Sequence, residues 1–236
     1  MRRYFRTRPL AAGFASITIL YLVAAYVALP YFWEGYDEHR PQEAMLTTTP
    51  QGIPGGPINV GLVGQHEDIL KAFAAANWYP ADPITLRSSL AIGISVVLDR
   101  TYDDAPVSTL IYDGRRQDLA FEKTVSKNPD RRHHVRLWQM VVRTGEDGRP
   151  LWLGAASFDQ GIGFSHDTLQ VTHYISADLD AERDGLIEDL ETAGYVSSVS
   201  EIPGVGATTD GRNGEGDIYR TDGKALIAVL TPTEAQ

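Results

Sequence analysis

"HHVRLWQMVVRTGEDGRPLWLGAASF", residues 133–158, decides the fold. Two apolar runs, HHVRLWQMVV and LWLGAASF, flank RTGEDGRP, a connection rich in turn-forming residues. The runs carry the β-branched and aromatic residues that suit a pleated sheet, so the stretch reads as two paired strands. Strands joined this closely pair antiparallel. Working outward, VSTLIY and QDLAFEK flank DGRR in the same way, LQVTHYIS and YVSSVS read as further strands, and DIYRTDGKALIAVL forms a final hairpin. The glycine-rich GATTDGRNGEGD reads as an exposed loop.

Helical periodicity appears in fewer places. DLDAERDGLIEDLETAG, residues 178–194, puts Leu179, Leu186, Ile187 and Leu190 on one face. Asp178 or Asp180 can cap it, and Gly194 stands where a helix stops. HEDILKAFAAANW follows the strand INVGLVG and carries Glu67 and Asp68 in its first turn, where acids suit the helix dipole. GLVGQHED lacks the lysine of a phosphate-binding loop, and its acids would repel phosphate. DPITLRSSLAIGISVVLDR, residues 82–100, begins with an N-cap aspartate and a proline and reads as a helix, with a strand possible over 91–98. Hairpins with separate helices give an α+β fold. The expected architecture is an N-terminal transmembrane helix, then a domain with a mainly antiparallel sheet and two or three helices.

The chain has 236 residues, a formal net charge of −10 and no cysteine. Disulfides, thiolate metal sites and a cysteine nucleophile are therefore excluded. Residues 1–32 hold Arg2, Arg3, Arg6 and Arg8 and no acid, so the remainder carries a net −14. So acidic a body argues against nucleic acid as a partner. Leu10 to Phe32 is an uncharged run. At ~1.5 Å per residue its helix spans roughly 34 Å, enough for a hydrocarbon core of about 30 Å. Tyr31, Phe32 and Trp33 suit the interface. The arginines put the N-terminus in the cytoplasm and the following domain in the periplasm, a single-pass protein of the bacterial inner membrane. A cleaved signal peptide is the competing reading, but the run is long and YVALP is a poor cleavage site. Residues 1–33 are thus read as basic tip and anchor, 34–56 as a flexible linker, and 57–236 as the extracytoplasmic domain. Ala11, Ala12, Gly13, Ala15 and Ser16 are small, and helix 10–29 could approach an integral membrane partner closely through them.

RRHHVRLW, residues 131–138, holds two of the six histidines. On a strand His133 points with Val135 and Leu137, and His134 with Arg136 and Trp138, so the two cannot share one ion. His134 with Asp159 and His173 could hold zinc or iron with positions open to water, His133 and His166 being alternates. Of the adjacent pair, His134 is the expected ligand, because the His133 face continues as core. Arg115, Arg116, Arg131 and Arg132 could instead meet a phosphorylated lipid headgroup. There is no G-x-S-x-G elbow, and Ser157 and Ser165 have only histidines as candidate bases.

QDLAFEK, RRHHVRLW, GRPLWLGAASFDQGIGFS and THYISADLDAERDGLIEDL, in this order, resemble the LssY C-terminal domain family over roughly residues 57–200. The resemblance implies a domain that accompanies integral membrane proteins, including lipid-phosphatase-like and DedA-like ones, near lipid metabolism or transport. It implies no particular activity, and phosphatase chemistry does not carry over to a chain without a phosphatase core. The expected function is a membrane-anchored extracytoplasmic accessory or binding module beside other membrane proteins or lipids. A metal-dependent hydrolase and a headgroup-binding domain are the alternatives.

Overall fold

A computed structural model describes residues 8–32, 45–81, 85, 87, 109–125, 131–145, 147–165, 169, 171–214 and 216–232. Most of the helix expected over 82–100, as well as His39 and His166, lies outside them. The N-terminal helix α1 runs as an α-helix over Arg8–Val23, widens to a π-turn at Ala24–Ala28, and continues helical to Phe32. The stretch Ala12–Phe32 is long and apolar enough to cross a membrane. It is not a core helix: Phe14, Ile17 and Leu20 are each about two-thirds exposed or more (76%, 69% and 69%). The Tyr21 hydroxyl donates to the Leu169 carbonyl at 2.9 Å, touching the domain.

The rest is a mainly antiparallel sheet with helices on one face, an α+β fold. The strands are β1 (Leu46–Thr48), β2 (Pro54–Pro57), β3 (Val60–Val63), β4 (Tyr79–Pro80), β5 (Ile111–Tyr112) and β6 (Arg115–Arg116). They continue as β7 (Leu119–Thr124), β8 (Arg132–Thr144), β9 (Pro150–Phe164), β10 (Val171–Ile175), β11 (Val196–Pro203), β12 (Thr208–Arg212), β13 (Ile218–Thr221) and β14 (Lys224–Leu230). Among the described residues, the helices with full bounds in this part are α2 (His66–Ala75) and α3 (Leu179–Thr192), and Thr85 and Arg87 are helical as well. The large sheet runs β11-β14-β3-β9-β8-β7-β4, with β10 beside the far half of β9. Among its described strands only β14 and β3 pair parallel. The opening hairpin is its centre: β8 and β9 pair from Arg132↔Asp159 to Thr144↔Pro150.

Period-two alternation sorts the side chains of this centre. Leu119, Phe121, Val135, Leu137, Trp152 and Ala156 face the helices and pack on Ile69, Leu70 and Phe73 of α2 and Leu186, Ile187 and Leu190 of α3. Phe73 stacks on Phe121 with centroids 4.0 Å apart. The opposite face carries Trp138, Leu153 and Ala155, packed with Ile58, Leu110 and the flanking Met45 and Tyr112. Met45 and Tyr112 belong to the region of a small second sheet, β2-β1-β5-β6. Thus the stretch 45–57, linker-like in composition, contains two strands and the fully buried Thr47. Pro54 and Pro57 sit at the ends of β2, where a missing amide costs little, and Pro50 lies in the turn before it. DGRR likewise closes a smaller hairpin than expected, β5 with β6 around Asp113 and Gly114, both at positive φ as a tight primed turn requires.

Local signals explain the helices. Asp178 accepts from the Ala181 amide at 3.1 Å and so caps α3. Gly194 at φ +81° ends it, with the Tyr195 amide returning to the Leu190 carbonyl. Asp180 instead binds Thr221 and the Asp222 amide, tying α3 to the β13–β14 turn. At α2 the start is closed by its own residues. Gln65 and Asp68 form a reciprocal cap, and Arg149 reaches Asp68 at 3.2 Å, so that end offers no phosphate cradle.

Candidate functional site

RRHHVRLW lies at the start of β8, and its alternating side chains go to two different environments. On the face away from the helices, β7 contributes Glu122, β8 contributes Arg132, His134 and Arg136, and β9 contributes Ser157 and Asp159. The register brings them together, with Glu122↔His134, His134↔Ser157 and Arg132↔Asp159 as Cα partners. Glu122, Arg132, His134, Arg136 and Asp159 are all buried, none more than 6% exposed. Charges this deep persist only when paired and hydrogen-bonded.

The pairing forms a chain. Arg132 bridges two acids, donating from Nη1 to Glu122 at 2.8 Å and from Nε to Asp159 at 3.4 Å. The other Asp159 oxygen lies 2.7 Å from His134 Nε2. Arg136 Nη1 approaches His134 Nδ1 at 3.1 Å. A guanidinium can only donate, so Nδ1 must accept and the ring proton must sit on Nε2, donating to Asp159. The imidazole is then neutral, in keeping with burial, the largest influence, pushing its pKa below the ordinary value. Asp159 works against that shift, and Arg136 and Arg132 with it. With histidine neutral, two guanidiniums balance two carboxylates.

Ser157 Oγ lies 3.3 Å from His134 Nε2 and 3.5 Å from Nδ1. Near-equal distances to both nitrogens put the hydroxyl beside the ring rather than in line with one nitrogen. A serine nucleophile needs an in-line base, and here Arg136 already occupies Nδ1. The five buried residues, with the half-buried Ser157 at their margin, form a scaffold rather than the in-line nucleophile and base of a hydrolytic triad.

His133 occupies the other environment. Its Nδ1 lies 2.6 Å from Glu182 Oε2 in the first turn of α3, and its ring lies 4.7 Å from that of Phe158 and 6.2 Å from that of Trp78. Its side chain is 35% exposed. Beside it, Lys123 and the Trp78 indole both bind Asp189. The two histidines therefore differ: His134 has both ring nitrogens engaged in the interior, and His133 pins the first turn of α3 to β8.

Of the expected metal ligands, the structure brings His134 and Asp159 into contact. The backbone of His173 lies on β10, opposite Ile162, while Ile175 of that strand pairs with Asp159. Among the described residues no three histidine or acidic side chains form a group that could hold a metal. The four arginines do not form one patch. Arg115 binds Asp118 and the Gln139 carbonyl near the far half of β8. Arg132 is seven residues away along the strand, roughly 23 Å at ~3.3 Å per residue. Arg131 lies over the Phe158 ring at 5.7 Å, and Arg116 is exposed. Sequence reasoning missed Glu122 and Glu182. Glu122 is an ordinary letter in a strand, and Glu182 has the position of a helix-dipole acid.

A family model described as LssY C-terminus matches residues 38–225. No curated protein and no solved structure matches the chain.

Proposed function

The chain belongs to the LssY C-terminus family, and from that premise we propose that it is a membrane-anchored extracytoplasmic module. It serves as an accessory or binding subunit beside other membrane proteins or lipids of the bacterial envelope. The observation that carries this reading is the uncovered apolar surface of α1. Phe14, Ile17, Ile19, Leu20, Leu22, Val23 and Val27 are all largely exposed. Moving each from water to lipid gains ~1.5–3 kcal/mol, on the order of 10 kcal/mol together. For α1 to span, Tyr21 must leave the Leu169 carbonyl, which costs only ~0.5–1.5 kcal/mol. Lipid wins that comparison by a wide margin. The four leading arginines orient the helix with its N-terminus in the cytoplasm, and the domain 57–236 then lies in the periplasm. Small residues along helix 10–29 suit close contact with an integral membrane partner.

On this reading the full chain stays in the membrane pellet after alkaline carbonate extraction and keeps its own N-terminus. Removing residues 1–33 should release the domain to the soluble fraction, still folded. Recovery of a soluble product starting near residue 29 would identify a signal peptide instead.

A second reading rests on the 2.7 Å contact of His134 with Asp159. A divalent metal, zinc or iron, held by His134, Asp159 and His173, with His133 and His166 as alternates, would make the domain a metal-dependent hydrolase. It would have to draw His134 from Arg136 and Asp159 from Arg132. Elemental analysis of the purified protein separates the readings. The hydrolase requires near-stoichiometric metal that is lost in His134→Ala, whereas the accessory module requires none.

A further inference from the structure

Strand β11 closes one side of the large sheet: it pairs with β14 and, among the described residues, has no strand on its other side. Residues 197–201, Ser-Ser-Val-Ser-Glu, are exposed along its whole middle. Neither the helix layer nor the small sheet covers them. An unpaired strand edge is a row of outward amides and carbonyls, a template for another strand. Proteins commonly guard such edges with lysine, proline or inward charge. Here the guards stand only at the ends. A bulge separates Val196 from Ser198, Glu201 is tied to Lys224 at 2.9 Å, and Pro203 ends the strand.

We propose that this edge pairs with β11 of a second copy of the same chain, antiparallel about Val199. The strand is close to its own complement when read in reverse. With Val199 opposite itself, Ser198 meets Ser200, Ser197 meets Glu201, and Val196 meets Ile202. No like charges face each other, and the exposed Val199 (38%) gains an apolar neighbour. An interface in which one patch meets itself is the isologous contact of a two-fold dimer. Pairing about Glu201 instead would set two carboxylates opposite each other, which is unfavourable. The pairing requires no change in the domain core and does not depend on which of the two functional readings holds.

The chain has no cysteine, so a single introduced thiol reports the contact directly. Directly opposed residues in an antiparallel pair have Cα atoms about 4.5–5.5 Å apart, inside the range of about 4.4–6.8 Å that a disulfide accepts. Full-length Val199→Cys in detergent should form a disulfide-linked dimer under mild oxidation. Val141→Cys, at a site 83% exposed on the β8–β9 hairpin, measures chance collision. The β11 variant should cross-link about tenfold faster or more, as expected when pairing raises the effective concentration of the second thiol. Adding Ser198→Lys and Ser200→Lys, which sets lysines opposite lysines on an exposed strand, should bring the rate down to that of Val141→Cys. Equal rates for the two single-cysteine variants would overturn the proposal, as would a Val199→Cys rate unchanged by the lysines.

Discussion

Arg132→Met should destabilise the domain by ~3–5 kcal/mol, the range found when one partner of a buried ion pair is removed. Methionine keeps most of the aliphatic volume, so the loss isolates the charge. Glu122 and Asp159 would lose the guanidinium that joins them, at 2.8 and 3.4 Å, in a place with little water to screen them. Urea unfolding followed by tryptophan fluorescence suits the measurement, because Trp138 and Trp152 are buried in the same sheet. The exposed Arg116→Met should shift stability by no more than ~0.5 kcal/mol. A loss below ~1 kcal/mol for Arg132→Met would show that the acids do not depend on this cation and that the chain of contacts is not a structural unit.

Stability should also fall as pH drops below about 6.5, the unperturbed histidine value. Burial holds the His134 imidazole below that value in the folded state. The unfolded chain then binds the proton first, and wherever the unfolded state binds more protons stability rises with pH. The contribution is therefore complete above about 6.5 and is lost progressively below it. Geometry agrees with this sign. A proton added at Nδ1 would face the Arg136 donor and make three cations against two carboxylates. His66, whose pKa burial also lowers, adds to the slope in the same direction. Unfolding curves from about pH 8 to 5 should show the decline, and His134→Gln should flatten it more than His66→Gln. An unchanged slope in His134→Gln would mean that this histidine binds protons equally in the folded and unfolded chain, against a pKa lowered by burial.

The parts of the fold that follow from local chemistry were legible in the sequence. The β8–β9 hairpin, the cap at Asp178, the stop at Gly194 and the apolar run of α1 each depend on a few neighbouring residues. Alternation likewise placed His133 and His134 on opposite faces. Which face was interior was not legible, because that depends on what covers the sheet at that end. Val135 and Leu137 continue the His133 face into the core, yet His133 itself sits at the margin of α3 and stays partly open. The interior position of His134 depends on Glu122 from β7 and Asp159 from β9, contacts set by register across three strands. The strands at 46–48 and 54–57 were hidden for another reason. Proline and glycine mask β2, whose value lies in closing the small sheet, where the Thr47 hydroxyl of β1 donates to the Gly56 carbonyl at 2.7 Å.

The central claim is an anchored domain on the far side of the membrane from the leading arginines. Fusing a reporter after Gln236 tests it most directly, comparing one that is active only in the periplasm with one active only in the cytoplasm. The expected result is periplasmic activity that remains with the membrane fraction. Activity of the cytoplasmic reporter at that position would contradict the claim.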